Sequence, residues 1–167
     1  MKRFYFWLWL LLSIAWAAVI FSFSAQNAEK SSETSSRVVD IVVEHFVPKY
    51  KKMPPQKQYT VRQMVTLYVR KSAHMMEYFL LGILLSNWFS VFIRTQWLWR
   101  MAAFGSGSLF AASDEFHQNF SAGRSPQAMD VLIDASGVMC GVIAVSLLHI
   151  LLSYIRGRRG QHGKLER

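Results

Sequence analysis

Ionisable side chains interrupt three hydrophobic segments of this chain, where charge is costly. In one of them, side chains recur at three- and four-residue spacing and would form a single stripe on a helix: Arg70, Lys71, His74, Glu77 and Tyr78. Charged groups within a membrane span usually face the bundle interior or a cavity and find partners there. The stripe predicts either a structural ion pair of Arg70 or Lys71 with Glu77, or one wall of a functional site.

A second polar group ends the next hydrophobic segment, in the sequence SDEFHQNFSAGRS. At about 100° per residue, four of its side chains share roughly half of a helix: Asp114, Glu115, His117 and Gln118. Acids at a helix C-terminus are unfavourable to the helix dipole, so helix capping does not explain them. Arg124 follows as the one cation of this stretch.

The last hydrophobic segment carries Asp130, Asp134, Gly137 and Gly141 at positions i, i+4, i+7 and i+11 of one helix face. Paired glycines four residues apart let another helix approach closely. We expect them to pack on a matching stripe of small residues in the preceding segment: Ala103, Gly107 and Ala111. That packing would bring the two aspartates beside the acids at the end of that segment.

These groups together predict a polar site with an excess of acid. Carboxylates crowded away from water must be paired, protonated or bound to a cation, so we expect a binding site, although the cluster could also serve only to hold the bundle together. The candidate ligand-binding residues are Arg70, Lys71, His74, Glu77, Asp114, Glu115, His117, Gln118, Arg124, Asp130 and Asp134. Candidates for acid–base catalysis, or for a metal if one were bound, are His74, Glu77, Glu115 and His117. No Ser-His-Asp order, phosphatase-type motif or HExxH is present, so no metal is predicted and the sequence does not identify a cofactor.

Four hydrophobic segments must position these residues: about 4–23, 73–93, 96–113 and 131–155. The first has twenty residues without a charge, which is the length that a helix needs to cross a bilayer. It could instead be a cleaved signal peptide, but it exceeds the usual apolar length of one. We therefore predict an all-α, polytopic membrane protein, a four-transmembrane-helix bundle that forms a single domain over residues 1–167.

The longest polar stretch, residues 24–72, separates the first two spans. Its first part has a polar and an apolar helical face and ends before Pro48, which predicts an amphipathic helix in the first extracytoplasmic loop. Thr60 followed by Gln63 is a capping box, which predicts that the next helix begins at Thr60.

The charge of the chain is explained by membrane topology. The formal net charge is +9 although 52% of the residues are hydrophobic, and much of the excess lies in tails and loops. More Lys and Arg lie near span ends on the side of the N-terminus, which predicts a multi-pass protein of the cell membrane with both termini cytoplasmic. The lipid bilayer is the expected partner, and no nucleic acid is expected.

The polar motifs also carry a resemblance that covers nearly the whole chain. The segments FSFSAQNAEKSSETS, RKSAHMMEYFLLGILL, SDEFHQNFSAGR and DVLIDASGVMCG resemble the signature blocks of the VanZ-like family of small bacterial membrane proteins. The resemblance implies that the candidate binding residues, together with Tyr78, Gly123 and Gly137, are signature positions. The family's namesake raises tolerance to teicoplanin, a lipid-tailed glycopeptide antibiotic.

The resemblance implies a protein of the bacterial cell envelope that contributes to tolerance of glycopeptide antibiotics. Its ligand in an outward polar pocket would be a lipid-linked wall precursor or an amphiphilic antibiotic. The alternative is a membrane-embedded enzyme that acts on a lipid-linked envelope substrate with a site of His and carboxylate side chains.

Overall fold

The structure is a computed structural model that describes residues 1–25, 28–118 and 128–165. Within these ranges it describes the side chains of residues 1–25, 33, 35–118 and 128–158. These residues form five α-helices and a short 3-10 turn: α1 Lys2–Ser24, α2 Ala28–Phe46, the turn Tyr50–Lys52, α3 Pro55–Phe92, α4 Gln96–Gln118 and α5 Ala128–Leu165. No β-strand occurs in this described part of the chain. The prediction of an all-α fold is confirmed.

Three of the described helices are long and apolar enough to cross a membrane, namely α1, α3 and, over Ala128–Arg158, α5. Many of their large apolar side chains face outward, including Leu11, Leu147 and Leu151. An apolar surface of this extent suits a lipid surrounding rather than water. The segment predicted as a further span, residues 96–113, lies in α4, which is not among the three apolar helices.

Contacts at two positions along the helices show that α1 and α3 run antiparallel. Trp16 of α1 donates a 2.9 Å hydrogen bond from Nε1 to the backbone oxygen of Glu77 on α3. Ten residues earlier on α1, the ring of Phe6 lies 5.6 Å from that of Phe92, at the far end of α3. The polar part of α3 therefore lies beside the C-terminal half of α1.

The α3 and α5 helices run parallel and touch backbone to backbone. A Cβ atom added at Gly137 would lie 2.3 Å from the backbone oxygen of Met75, and one at Gly141 would lie 2.3 Å from that of Phe79. Only glycine fits at such distances, because any side chain would displace the facing helix. Because the two helices run in the same direction, the acids that precede these glycines on α5 face the polar stripe of α3.

The glycine pair of α5 therefore packs on α3, and the prediction that it packs on α4 is wrong. The small residues of α4 face a different side of α5, where a Cβ at Gly107 would lie 2.6 Å from the side chain of Val138. Val138 is fully buried, as are Ala103 and Ala111 of α4. A pattern of small residues identifies a face for close packing, but it does not identify the helix that packs there.

The α2 helix packs on the first half of α3. Its Val39 and Val43 are buried, and Arg62 of α3 donates a 2.5 Å hydrogen bond to Asp40. This agrees with a helix that ends before Pro48, since α2 ends at Phe46. The α2 helix therefore covers part of the first half of α3.

The start of α3 differs from its prediction. The helix begins at Pro55 and not at Thr60, because proline suits the first turn of a helix, where its missing N–H is not needed. Thr60 lies within the helix, and its hydroxyl donates to the backbone oxygen of Gln56. The capping box therefore does not mark the helix start.

We expect that Gly141→Ala destabilises the protein by about 1–3 kcal/mol, since the added methyl group would clash with the α3 backbone. Gly105→Ala is the matched control, because a Cβ at Gly105 has no neighbour within 4 Å. Thermal unfolding of both variants in detergent measures the difference. Equal midpoints for Gly141→Ala and Gly105→Ala would contradict the close approach of α3 and α5.

Candidate functional site

A buried carboxylate, Asp114, joins three helices at the polar end of the bundle. Only 1% of its surface is exposed. Its Oδ2 accepts hydrogen bonds from Ser24 Oγ of α1 at 2.7 Å and from Tyr78 Oη of α3 at 3.3 Å. Gln118, one turn further along α4, donates from Nε2 to the same oxygen at 3.3 Å and to Ser24 Oγ at 2.6 Å. These bonds fix the end of α4 against α1 and α3.

The two histidines of the polar end lie in different surroundings. His74 Nδ1 lies 3.6 Å from Glu77 Oε2, one helical turn away on α3. The ring of His117 packs against Phe21 of α1, with 4.4 Å between the ring centroids. His74 therefore belongs to the α3 stripe, whereas His117 contacts the first span.

An ion pair connects α3 to the start of α5. Lys71 Nζ bonds to Asp130 Oδ1, and each side chain is about one third exposed or less. The pair follows from the parallel packing of these helices, because Asp130 precedes Gly137 by two turns and Lys71 precedes Met75 by one. Lys71 thus pairs with an acid of α5 and not, as one sequence-based alternative had it, with Glu77.

A cavity of about 100 Å³ opens between α3, α4 and α5 at this polar end. The residues that line it are Leu67, Arg70, Lys71, His74, Glu115, Gln118, Asp130, Ile133 and Asp134. Seven of the eleven candidate binding residues are among them. Of the other four, Glu77, Asp114 and His117 are described but do not line the cavity, and Arg124 lies outside the described residues.

Two acids of the cavity wall are deeply buried. Glu115 is 6% exposed and Asp134 4% exposed. Asp134 also lies within range of repulsion from four other acids: Asp114, Glu115, Asp130 and Glu77. Burial and like charge both act against an ionised carboxylate, so a cation that entered the cavity would be stabilised at Asp134.

The four residues predicted as catalytic candidates do not form one group. His74 and Glu115 line the cavity, Glu77 lies behind His74, and His117 contacts α1. Across the described ranges, no group of three or more His, Cys, Asp or Glu side chains could hold a metal ion. The arrangement around the cavity is suited to binding a charged group, and a His–carboxylate pair, His74 and Glu77, lies beside it.

Sequence reasoning did not identify Ser24 and Trp16 of α1 as part of the polar end. Ser24 is fully buried against Asp114, and Trp16 reaches the α3 backbone. A signal was available, because Ser13, Trp16 and Ser24 fall on the same side of an otherwise apolar helix as the buried Ile20. A serine in an apolar helix does not by itself indicate a polar site, because its hydroxyl can also bond to the backbone of its own helix.

Comparison with known proteins gives one match. The family model described as VanZ/LLP1 matches residues 9–149, which is most of the chain. Searches of curated proteins and of solved structures found no match.

We expect that Ser24→Ala lowers the free energy of unfolding by about 1–3 kcal/mol, because it leaves the buried Asp114 without its shortest hydrogen bond. Ser22→Ala is the matched control, since Ser22 is exposed and its hydroxyl bonds only within α1, to the Ala18 backbone oxygen. The measurement is thermal unfolding in detergent. If Ser24→Ala unfolds at the same temperature as Ser22→Ala, Asp114 does not fasten α1 to the bundle.

Proposed function

The chain belongs to the VanZ/LLP1 family, and we propose that it is a multi-pass protein of the bacterial cell envelope that binds an envelope ligand in its polar cavity. Its role would be to contribute to tolerance of glycopeptide antibiotics. The ligand would be a lipid-linked wall precursor or an amphiphilic antibiotic. The observation that carries the proposal is the cavity itself, in which permanent cations and deeply buried acids face one another at the end of an apolar bundle.

A cavity with charges of both signs is what a polar headgroup requires. Arginine and lysine bind phosphate and carboxylate groups through charge-assisted hydrogen bonds, and buried acids bind amines. The cavity is also bordered by Leu67 and Ile133, which offer apolar contact beside the charges. An amphiphile presents this combination, since its headgroup joins an apolar part.

We propose that α4 is a fourth span, so that α1, α3, α4 and α5 form a four-helix bundle in the membrane. At 1.5 Å per residue, α4 is about 35 Å long, which suffices for a hydrocarbon core of about 30 Å. The same arithmetic gives α3 a length of about 57 Å, so that part of it extends beyond the core. The first half of α3 and the amphipathic α2 would then lie on the outer surface, beside the mouth of the cavity.

This arrangement predicts that both termini are cytoplasmic and that the α2 region is extracytoplasmic. In a Cys140→Ser background, a membrane-impermeant thiol reagent should label a cysteine at Ser32 in intact cells. A cysteine at Ser153 should be labelled only after the membrane is opened. Labelling of the Ser153 position in intact cells, with protection of the Ser32 position, would reverse the topology.

We expect that Glu115→Gln abolishes the tolerance that the protein confers, because it removes a buried charge from the cavity wall. Glu44→Gln is the matched control, since Glu44 is exposed on α2 and pairs with Lys51. The test is growth of a deletion strain, complemented with each variant, on graded teicoplanin, with membrane levels of each variant measured in parallel. Full tolerance with Glu115→Gln would contradict the proposal.

A membrane-embedded enzyme is the second candidate function, and the proximity of His74 and Glu77 favours it. A carboxylate 3.6 Å from Nδ1 could orient His74 toward the cavity as a general base. Mass spectrometry of envelope lipids from cells with the native chain or with His74→Gln tests this candidate. A lipid product that depends on His74 would support an enzyme, and identical lipid profiles would exclude a reaction that uses this base.

A further inference from the structure

One acid of the cavity, Asp134, has no hydrogen-bond or ion-pair partner among the described residues. Asp134 is 4% exposed and lines the cavity, yet within the described part of the chain its carboxyl makes no hydrogen bond or ion pair. A buried polar group without a hydrogen bond is uncommon in folded proteins, and a buried carboxylate without one is costly. Because the acids near Asp134 repel its carboxylate form, a cation or a hydrogen-bond donor would satisfy that form.

One cation of the cavity is also uncommitted. Lys71 is bonded to Asp130, so that these two charges compensate each other. Arg70, the next residue on α3, lines the same cavity and forms no ion pair among residues 1–25, 28–118 and 128–165. A guanidinium group with free donors at a cavity is suited to a phosphate or carboxylate.

The size and position of the cavity limit what can enter. A volume of about 100 Å³ holds several waters and is enough for a small ionic group. The cavity continues into an open groove along α3, and Leu67 and Arg70 line both. The remainder of a ligand can therefore extend outward past Arg70.

We propose that the cavity binds the headgroup of an amphiphile that carries both a phosphate and a primary amine, with its ammonium group at Asp134 and its phosphate at Arg70. This inference rests on the proposed function and specifies the class of its ligand. The amine enters first, because Asp134 is buried within the cavity, whereas Arg70 also borders the open groove. The phosphate then lies at the mouth.

The two charged groups of such a headgroup match Asp134 and Arg70, two ionisable groups of the cavity that have no ion pair among the described residues. A primary ammonium group donates three hydrogen bonds, so it can bond to Asp134 and still donate to other acceptors of the cavity wall. A quaternary ammonium group has the same charge but donates none and is larger. A headgroup with phosphate and no amine would leave Asp134 without a partner. The cavity should therefore distinguish among lipids that differ only in this group.

The test is native mass spectrometry of the full-length chain in detergent, titrated with phosphatidylethanolamine, phosphatidylcholine or phosphatidylglycerol of identical acyl chains. We expect phosphatidylethanolamine to bind at least tenfold more tightly than the other two. Asp134→Asn should reduce its affinity to that of phosphatidylcholine, and Arg70→Gln should weaken binding of all three lipids.

Matched controls separate local effects from general ones. Glu33→Gln and Arg94→Gln remove an acid and a cation from exposed positions outside the cavity and the groove and should leave the binding of all three lipids unchanged. Asp134→Asn keeps the size of the side chain, and its thermal unfolding midpoint shows whether the fold is intact.

Competition with soluble phosphoethanolamine shows whether the headgroup or the whole lipid supplies the affinity. Full competition assigns it to the headgroup alone, and partial competition assigns it to the whole amphiphile.

Two results would overturn the inference. Equal binding of the three lipids to the native chain would show that the amine is not recognised, and so would phosphatidylethanolamine affinity that Asp134→Asn leaves unchanged. If phosphatidylglycerol bound more tightly and depended on Arg70, the ligand class would be wrong while a binding cavity remained. If no lipid bound in a way that depends on cavity residues and Glu115→Gln retained full tolerance, the proposed function would fail as well.

Discussion

The backbone contact between α3 and α5 is the constraint on which the rest of the polar end depends. Gly137 and Gly141 allow the helices to approach until their backbones touch, and at that distance neither helix can slide or rotate without a clash. The register that results places Asp130 against Lys71 and directs Asp134 into the cavity. A polar site inside an apolar bundle needs such a constraint, because lipid supplies no water to satisfy a misplaced charge.

The hydrogen bonds of Asp114 complete the site from the opposite side. A carboxylate that is 1% exposed is tolerated because a serine, a tyrosine and a glutamine from three helices donate to it. Since Gln118 also lines the cavity, the same network connects the buried centre of the bundle to the proposed ligand. The site thus has an interior in which hydrogen bonds join three helices at Asp114 Oδ2, and a cavity beside it whose wall carries Arg70 and Asp134. Preorganisation of this kind reduces the cost of ordering side chains when a ligand binds.

Much of this arrangement could be predicted from the sequence. Hydrophobic segments identified parts of α1, α3, α4 and α5, and the spacing of ionisable residues identified seven residues of the cavity wall. Helix partners could not be predicted, because a face of small residues fits any apolar neighbour, and so the glycines of α5 were assigned to α4 and not to α3. Ser24 was missed because its role depends on Asp114, ninety residues away in the sequence. Sequence spacing gives the composition of one helix face, whereas contacts between helices decide which charges are compensated.

The most direct test of this account is charge exchange between Lys71 and Asp130, measured by thermal unfolding of the full-length chain in detergent. In the proposed arrangement, α3 and α5 lie in a register that pairs these two residues and leaves Arg70 and Asp134 for a ligand. Lys71→Asp and Asp130→Lys should each lower the unfolding midpoint, because each places like charges together at a partly buried position. The double variant should recover most of the loss. A double variant that unfolds no higher than the less stable single variant would contradict the register and, with it, the composition of the cavity.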